Sequence, residues 1–112
     1  MTIIKMEHLS FGDIVLLRFP FTDGQTFKRR PALVINDSDD GDVIVCRITS
    51  QIYNTKYDVY VDNWENTGLK LSSVIRIHKI ATLEKDMAEL VIGQIDSSIK
   101  AKVKSIFDNL PQ

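Results

Sequence analysis

Residues 32–48, ALVINDSDDGDVIVCRI, determine how this chain folds. Ala32–Ile35 is apolar throughout, Ser38–Asp42 supplies turn residues, and Val43–Ile48 is a second, mostly apolar run. Two apolar segments of strand length on either side of such a turn are typical of a β-hairpin. We therefore expect a fold built from antiparallel strands.

The segments on both sides of this hairpin carry the same signal. Ile14–Phe19 predicts a buried strand that ends at Pro20, and Tyr57–Val61 and Ala88–Ile95 predict short strands. Ser73–Ile80 alternates apolar and polar residues, which predicts a half-buried strand with one solvated face.

Loop and helix signals complete the pattern. Phe21–Arg30 predicts a loop that ends in the cationic run Lys28–Arg30, after which Pro31 opens a strand. Asp96–Ser98 supplies helix-capping residues, and apolar residues at three- and four-residue spacing then predict an amphipathic helix over about 97–110. Five or six short strands cannot bury both faces of an open sheet in so small a chain. The predicted fold is mainly β, a small, partly open barrel of SH3 type with a C-terminal α-helix.

The composition limits what this fold can do. With 112 residues, 44% hydrophobic and 26% charged, residues 1–112 have enough apolar material for one domain. Fourteen Lys and Arg residues against fifteen Asp and Glu give a net charge of -1, so any nucleic-acid site must be a local basic patch. Cys46 is the single cysteine, which excludes an internal disulfide and predicts a buried, inert thiol.

The sequence predicts neither a signal peptide nor a membrane span. Charges interrupt the apolar residues of Met1–Glu7 too early for a signal peptide. No later run approaches the roughly 18 apolar residues of a membrane span. The sequence therefore predicts a cytoplasmic protein with no membrane partner.

Candidate functional residues lie where the predicted strands end. Arg30 stands at the start of one strand, and Thr49, Ser50 and Gln51 follow another. Arg76 and His78 are two residues apart, so both should point to the solvated side of their strand. His8 and His78 are the only histidines and lie far apart, so nothing predicts a metal site or another cofactor, and metal-free chemistry is favoured.

Each of these residues also has an ordinary interpretation. On sequence alone, Arg30 is more typical of a surface ion pair, Thr49–Gln51 of a turn, and His78 of a structural role. Lysines on the polar face of the predicted helix are typical of a solvated surface. The residues alone indicate a small β domain with a polar, partly basic site.

Four sequence segments, in this order, resemble the MazF/PemK/Kid family of toxins. The segments are Gly12–Val15, Arg30–Ile35, Ile48–Gln51 and Gly68–Ile75 with Arg76, and the similarity continues to about Leu110. Members of this family are toxins of type II toxin–antitoxin systems, endoribonucleases called mRNA interferases with an SH3-like barrel. The resemblance implies that this chain inhibits growth by cleaving single-stranded RNA.

The resemblance also implies roles for particular residues. The family's catalytic arginine and threonine match Arg30 and Thr49, and the expected products carry 2′,3′-cyclic phosphate and 5′-hydroxyl ends. A guanidinium fits phosphoryl oxygens and keeps its charge, which suits transition-state stabilisation. The neighbouring Lys28, Arg29, Ser50, Gln51 and Arg76 are expected to bind substrate.

The chain departs from the family pattern at the proton-transfer group. Some members carry an acid in the loop before the Arg-Pro strand, where this chain offers only Asp23, and an amide or acid on a later strand. His78 stands at that later position, and we expect it to act as base or acid because imidazole ordinarily titrates near neutral pH. The aromatic side chains Phe27, Tyr53 and Trp64 are candidates for base stacking or for packing.

Family members are homodimers whose antitoxin has an acidic, disordered tail that occupies the RNA groove. The expected partners are therefore single-stranded RNA, a cognate antitoxin and a second copy of this chain. Two alternatives stay open: a catalytically weak or inactive regulatory or nucleic-acid-binding member of the same fold, and an SH3-like module that binds Pro-rich ligands.

Overall fold

A computed structural model describes residues 8–20 and 23–110 of this chain. The predicted N-terminal segment 1–7 and part of the predicted loop, residues 21–22, lie outside the described residues. The strands are β1 (Asp13–Pro20), β2 (Phe27–Asp37), β3 (Asp42–Thr49), β4 (Asp58–Val61), β5 (Ser73–Glu84) and β6 (Ala88–Gln94), and the helix is α1 (Ser97–Asp108).

The six strands form one antiparallel sheet in the order β4-β5-β3-β2-β1-β6. The hairpin predicted from residues 32–48 is confirmed as β2 and β3, in the centre of this order. The mainly β fold, partly open and with a C-terminal helix, is confirmed as well.

Apolar side chains pack on both faces of the sheet. On one face, which we call the helix face, Leu33, Cys46 and Ile75 pack with Ile99 and Val103 of α1. The other face carries a second apolar cluster, which includes Val15, Leu17, Ala32, Val34 and Val45. We call it the groove face, because it carries the candidate site described below.

Two glycines interlock the sheet edge with the chain that follows β4. Gly68 has a φ of +87°, and a Cβ placed on it would collide with the backbone of Ile92 in β6. A Cβ on Gly93 would collide with the carbonyl of Thr67. The β4–β5 connection therefore packs directly against β6, which brings the two edges of the sheet together and bends it towards a barrel.

The C-terminal helix begins where it was predicted and ends two residues earlier, at Asp108. The Asp96 carboxylate accepts a hydrogen bond from the Ile99 amide at 2.9 Å, which satisfies one of the unpaired amides at the helix start. Among the described residues, no helix combines the length and apolar character that crossing a membrane requires.

The prediction of a buried thiol at Cys46 is confirmed. Its Sγ atom lies fully buried and donates a hydrogen bond to the Ile77 carbonyl at 3.6 Å. Burial disfavours the thiolate and raises the pKa of Cys46 to about 12. This cysteine is therefore an unreactive core residue.

Two strand predictions were wrong in their limits. Strand β2 begins at Phe27, so the cations of Lys28–Arg30 lie in a strand and not in a loop, because they continue the pairing with β1 beyond Pro31. Strand β5 runs to Glu84, and Ser73–Ile77 is buried throughout instead of alternating. The helix covers one face of this part of β5, and the β3–β4 loop covers the other.

Candidate functional site

A groove of about 880 Å³ opens on the groove face of the sheet, between β2, β3, the second half of β5 and the β4–β5 connection. Leu16, Phe19, Leu71 and Ile92 contribute apolar walls. The polar and charged side chains that line it are Lys28, Arg29, Arg30, Arg47, Thr49, Ser50, Lys70, Ser73 and Lys79.

Strand pairing brings Arg30 and Thr49 to this groove. The pairing of β2 with β3 ends at Ala32 and Arg47, and Arg30 and Thr49 each lie two residues from it on their own strands. Residues two apart on a strand project to the same face, so Arg30 shares the face of Ala32, Thr49 shares that of Arg47, and both line the groove. Arg30 is exposed and Thr49 half-buried at the groove.

Thr49 serves the local turn as well. Its hydroxyl oxygen accepts a hydrogen bond from the Gln51 amide at 3.2 Å, so the turn-forming interpretation of Thr49–Gln51 is confirmed for this residue. The hydroxyl proton is not used in that bond and can be donated to a ligand. Ser50 also lines the groove, whereas the exposed Gln51 lies outside its lining.

The charge of the groove differs sharply from that of the whole chain. Six cationic side chains line it, and among the residues that the structure describes no carboxylate does. Arg29 is partly neutralised, because its Nε lies 2.6 Å from the Glu89 carboxylate. This is the local basic patch that a chain with a net charge of -1 needs in order to bind a polyanion.

The prediction that Arg76 points to a solvated face was wrong. Arg76 is buried, and its Nε donates to the Asp58 carboxylate at 2.9 Å while the Tyr53 ring covers the guanidinium at 3.6 Å. Burial alone would raise the pKa of Asp58, but hydrogen bonds from Thr55 and Arg76 more than offset this and lower it. Tyr53 therefore packs on a buried ion pair, and its predicted role in base stacking is not tested by this contact.

His78 lies beside the groove and not in its lining. Pairing between β3 and β5 skips from Arg76 to Ile80, and His78 occupies this bulge. Its ring packs on Tyr57 with centroids 4.8 Å apart, and its Nδ1 is buried with no hydrogen-bond partner among the described residues. The following residue, Lys79, does line the groove.

Asp23, the acid in the loop before β2, is engaged locally. Its carboxylate accepts hydrogen bonds from the Gln25 and Thr26 amides and from the Thr26 hydroxyl. These bonds stabilise the charged form and lower the pKa of Asp23. A carboxylate stabilised in this way is a weaker base than an ordinary aspartate.

One cluster among the described residues has the composition of a metal site. His8, Asp37 and Asp39 place possible ligand atoms within 4.8 Å of one another. However, the ammonium group of Lys85 lies 2.7 Å from Asp37 Oδ2, and the Leu9 amide donates to the same oxygen. These donors hold the pKa of Asp37 below its usual range. The buried carboxylate thus already has a cation, and none of the three residues lines the groove.

Sequence reasoning missed three cations of the groove, namely Arg47, Lys70 and Lys79. Arg47 was detectable in principle, because it lies two residues before Thr49 on the same strand and therefore shares its face. Lys70 and Lys79 were not, because the β4–β5 connection and the β5 bulge bring them to the groove.

The fold and the groove together define a small, partly open antiparallel barrel with a cationic face. The family model described as "PemK-like, MazF-like toxin of type II toxin-antitoxin system" matches residues 10–110. The chain therefore belongs to the PemK/MazF-like family of type II toxin–antitoxin toxins. A comparison with curated protein sequences finds no significant match.

Solved structures share this fold at low sequence identity. An endoribonuclease from mycobacterial species is 17% identical, with 96% of this chain and 97% of that chain covered and a TM-score of 0.73. A chain of a MazE–MazF crystal structure from Deinococcus radiodurans is 21% identical, with 88% of this chain and 91% of that chain covered and a TM-score of 0.73. A mycobacterial endoribonuclease in complex with its cognate antitoxin is 18% identical, with 91% and 96% covered and a TM-score of 0.64.

Proposed function

We propose that this protein is a metal-independent endoribonuclease that cleaves single-stranded RNA in the groove between β2 and β3. The observation that carries the proposal is the convergence of Arg30 and Thr49 in a groove lined by six cations and, among the described residues, by no carboxylate. Family membership supports the toxin role, and relatives of the same fold are named as endoribonucleases.

The chemistry follows from what RNA brings to the reaction. Its 2′-hydroxyl is an internal nucleophile, so the protein must align it, remove its proton, stabilise the phosphorane and protonate the leaving 5′-oxygen. In the proposal the Arg30 guanidinium binds the non-bridging oxygens and stabilises their growing charge, while the Thr49 hydroxyl donates to the same phosphate. The 2′-oxygen bonds to phosphorus as the 5′-oxygen leaves, which produces 2′,3′-cyclic phosphate and 5′-hydroxyl ends.

The substrate-binding roles divide by position. Lys28, Arg29 and Ser50 line the groove beside Arg30 and Thr49, where they would contact the RNA backbone directly. Gln51 would contact RNA only beyond the groove rim. Arg76 is held by Asp58, so its proposed part in substrate binding is indirect, through the loop that carries Tyr53.

Proton transfer is assigned to His78 in this proposal. The residue precedes Lys79 of the groove lining, and imidazole is the side chain that ordinarily exchanges protons near neutral pH. Its Nδ1 is buried and has no hydrogen-bond partner among the described residues, and its ring packs on Tyr57, so the assigned role requires the ring to turn towards the groove.

The proposed partners follow from the same surface. A solved relative is described as a complex with its cognate antitoxin, and an acidic antitoxin segment would complement the cations of this groove. Leu71 at the groove is 61% exposed, and such an apolar side chain suits a homodimer contact beside the site. Because its substrate would be mRNA, the protein would act in the cytoplasm.

The test is cleavage of a long single-stranded RNA by purified protein in EDTA, with the fragment ends mapped. We expect discrete cuts with 5′-hydroxyl ends, and a rate about 10²- to 10³-fold lower for Arg30→Ala. Thr49→Ala should be impaired as well, whereas Thr49→Ser keeps the hydroxyl and should retain activity. Lys102→Ala changes an exposed cation on α1 outside the groove and serves as the control. Intact RNA in every preparation would refute the proposal.

A second candidate function has one observation in its favour. Among the described residues, no carboxylate that could act as a base lines the groove. A non-catalytic RNA-binding member of the family would have the same cationic surface. Expression in bacterial cells distinguishes the two functions. Growth arrest that depends on Arg30 and accompanies RNA cleavage supports the nuclease, and RNA binding without cleavage supports the alternative.

A further inference from the structure

Arg47 occupies a distinctive place on the groove face. Val15, Ala32, Arg47, Arg76 and Asp58 form one row across β1, β2, β3, β5 and β4. Thr49 begins the adjacent row, in which it pairs with Val74. Residues two apart on a strand are separated by about 6.6 Å, so Arg47 stands one row away from the Arg30–Thr49 position.

Within its row, Arg47 is the guanidinium that a ligand can reach. Arg76, its cross-strand neighbour, is bound to Asp58 and covered by Tyr53. Arg47 is exposed, lines the groove and, among the described residues, has no carboxylate within ion-pair distance. Asp58 neutralises Arg76, so the free charge of this row belongs to Arg47.

Two of the residues next to Arg47 on the groove face are apolar. Ala32 on one side is small and buried, and Val45, two residues earlier on the same face, is buried as well. An arginine whose stem lies against such residues keeps its guanidinium at the groove surface, where it presents a planar fork of donors. In a single-stranded RNA, the group that matches this fork is the phosphate diester.

We propose that Arg47 binds the phosphate next to the one that is cleaved, and so holds the RNA strand in line over Arg30 and Thr49. The inference rests on the proposed endoribonuclease function. It makes Arg47 a substrate-positioning residue, because its guanidinium would grip a phosphate that does not react. The spacing of the rows supports this role, since Arg47 and the Arg30–Thr49 pair are offset along the strand direction.

The test measures binding of a single-stranded RNA in which every 2′-hydroxyl is methylated, so that it cannot be cut. The oligonucleotide contains the cleavage site mapped for the wild-type protein, and a neutral methylphosphonate replaces one phosphate at a time. Affinities are measured for the wild-type protein, for Arg47→Gln and for Lys102→Gln. The last variant removes an exposed cation of α1 and serves as the matched control. Thermal melting establishes that the variants fold.

We expect Arg47→Gln to weaken binding about tenfold and to reduce the slope of log K against log salt by about 0.7, the value for one phosphate of a single strand. At one phosphate adjacent to the cleaved linkage, the methylphosphonate should weaken wild-type binding but leave Arg47→Gln binding unchanged. Lys102→Gln should behave as the wild-type protein at every position.

Two results would overturn the inference. One is equal sensitivity of the wild-type and Arg47→Gln proteins at every adjacent phosphate. The other is loss of sensitivity in Arg47→Gln only at the cleaved linkage, which would place Arg47 on the reacting phosphate. Either result with an active wild-type enzyme leaves the proposed function intact, whereas a wild-type protein that neither cuts nor binds RNA refutes the proposed function itself.

Discussion

The Nε atom of Arg76 lies 2.9 Å from Oδ1 of Asp58, and the two side chains are only 10% and 2% exposed. Removing one partner of such a pair leaves an uncompensated buried charge, so Asp58→Asn should lower the free energy of unfolding by about 3–5 kcal/mol. Urea denaturation measures this change. Asp108→Asn breaks the exposed Lys104–Asp108 pair and should cost less than about 1 kcal/mol.

The combined variant Asp58→Asn with Arg76→Met separates charge from packing. Replacing the guanidinium by an apolar side chain removes the unpaired charge, so the double variant should recover part of the stability that Asp58→Asn loses. If the double variant is no more stable than the single one, the unpaired charge is not the cause of the loss.

Acid should destabilise the protein partly through Asp37. Its folded pKa is lowered, mainly by the Leu9 amide and the Lys85 ammonium, while its unfolded pKa is about 3.9. The resulting stabilisation is fully present above the unfolded pKa and is lost as the pH falls towards the folded pKa. Denaturation between pH 6 and pH 2 should therefore show a shallower fall for Asp37→Asn than for the wild-type protein. Equal pH dependence in both would contradict the prediction.

The interlock between Gly68 and Gly93 predicts position-specific effects of alanine. Gly68→Ala must place a Cβ against the Ile92 backbone at a positive φ, whereas Gly24 also has a positive φ but faces open space. Gly24→Ala should cost about 1–2 kcal/mol, the penalty of the left-handed conformation, and Gly68→Ala distinctly more. Thermal unfolding compares the two variants, and similar costs would mean that β6 and the β4–β5 connection do not pack as described.

Glu89 compensates part of the positive charge of the groove. It pairs with Arg29, and this contact lowers the pKa of Glu89, which is therefore ionised at neutral pH. Glu89→Gln should release Arg29, tighten RNA binding severalfold at low salt and steepen its salt dependence. Binding titrations at several salt concentrations measure both effects. Unchanged affinity would show that Arg29 does not contact RNA.

The assigned proton transfer by His78 predicts a change in the pH dependence of cleavage. If His78 exchanges the proton, His78→Gln removes one limb of the pH–rate profile and lowers the rate about 10²- to 10⁴-fold. Tyr57→Phe keeps the stacked ring and serves as the control for packing. A profile that keeps its shape in His78→Gln would assign proton transfer to another group.

The sequence by itself determined the hairpin of residues 32–48, the terminal helix and the buried Cys46, because these depend on local apolar periodicity and turn residues. It also determined the family, through short segments in a fixed order that include Arg30 and Thr49. The groove that brings these two residues together follows from strand pairing, whose register local periodicity does not specify.

Only the tertiary structure decided that Arg76 is buried and that the face which Arg47 shares with Thr49 forms a groove. Arg76 has the local pattern of a solvated strand residue, yet Asp58 of β4 and Tyr53 of the β3–β4 loop enclose it. Arg47 sits in an apolar strand, yet the pairing of β3 with β2 and β5 presents it to the groove. The physical reason is that burial and local charge depend on which chain segments pack together, and this is a property of the whole fold.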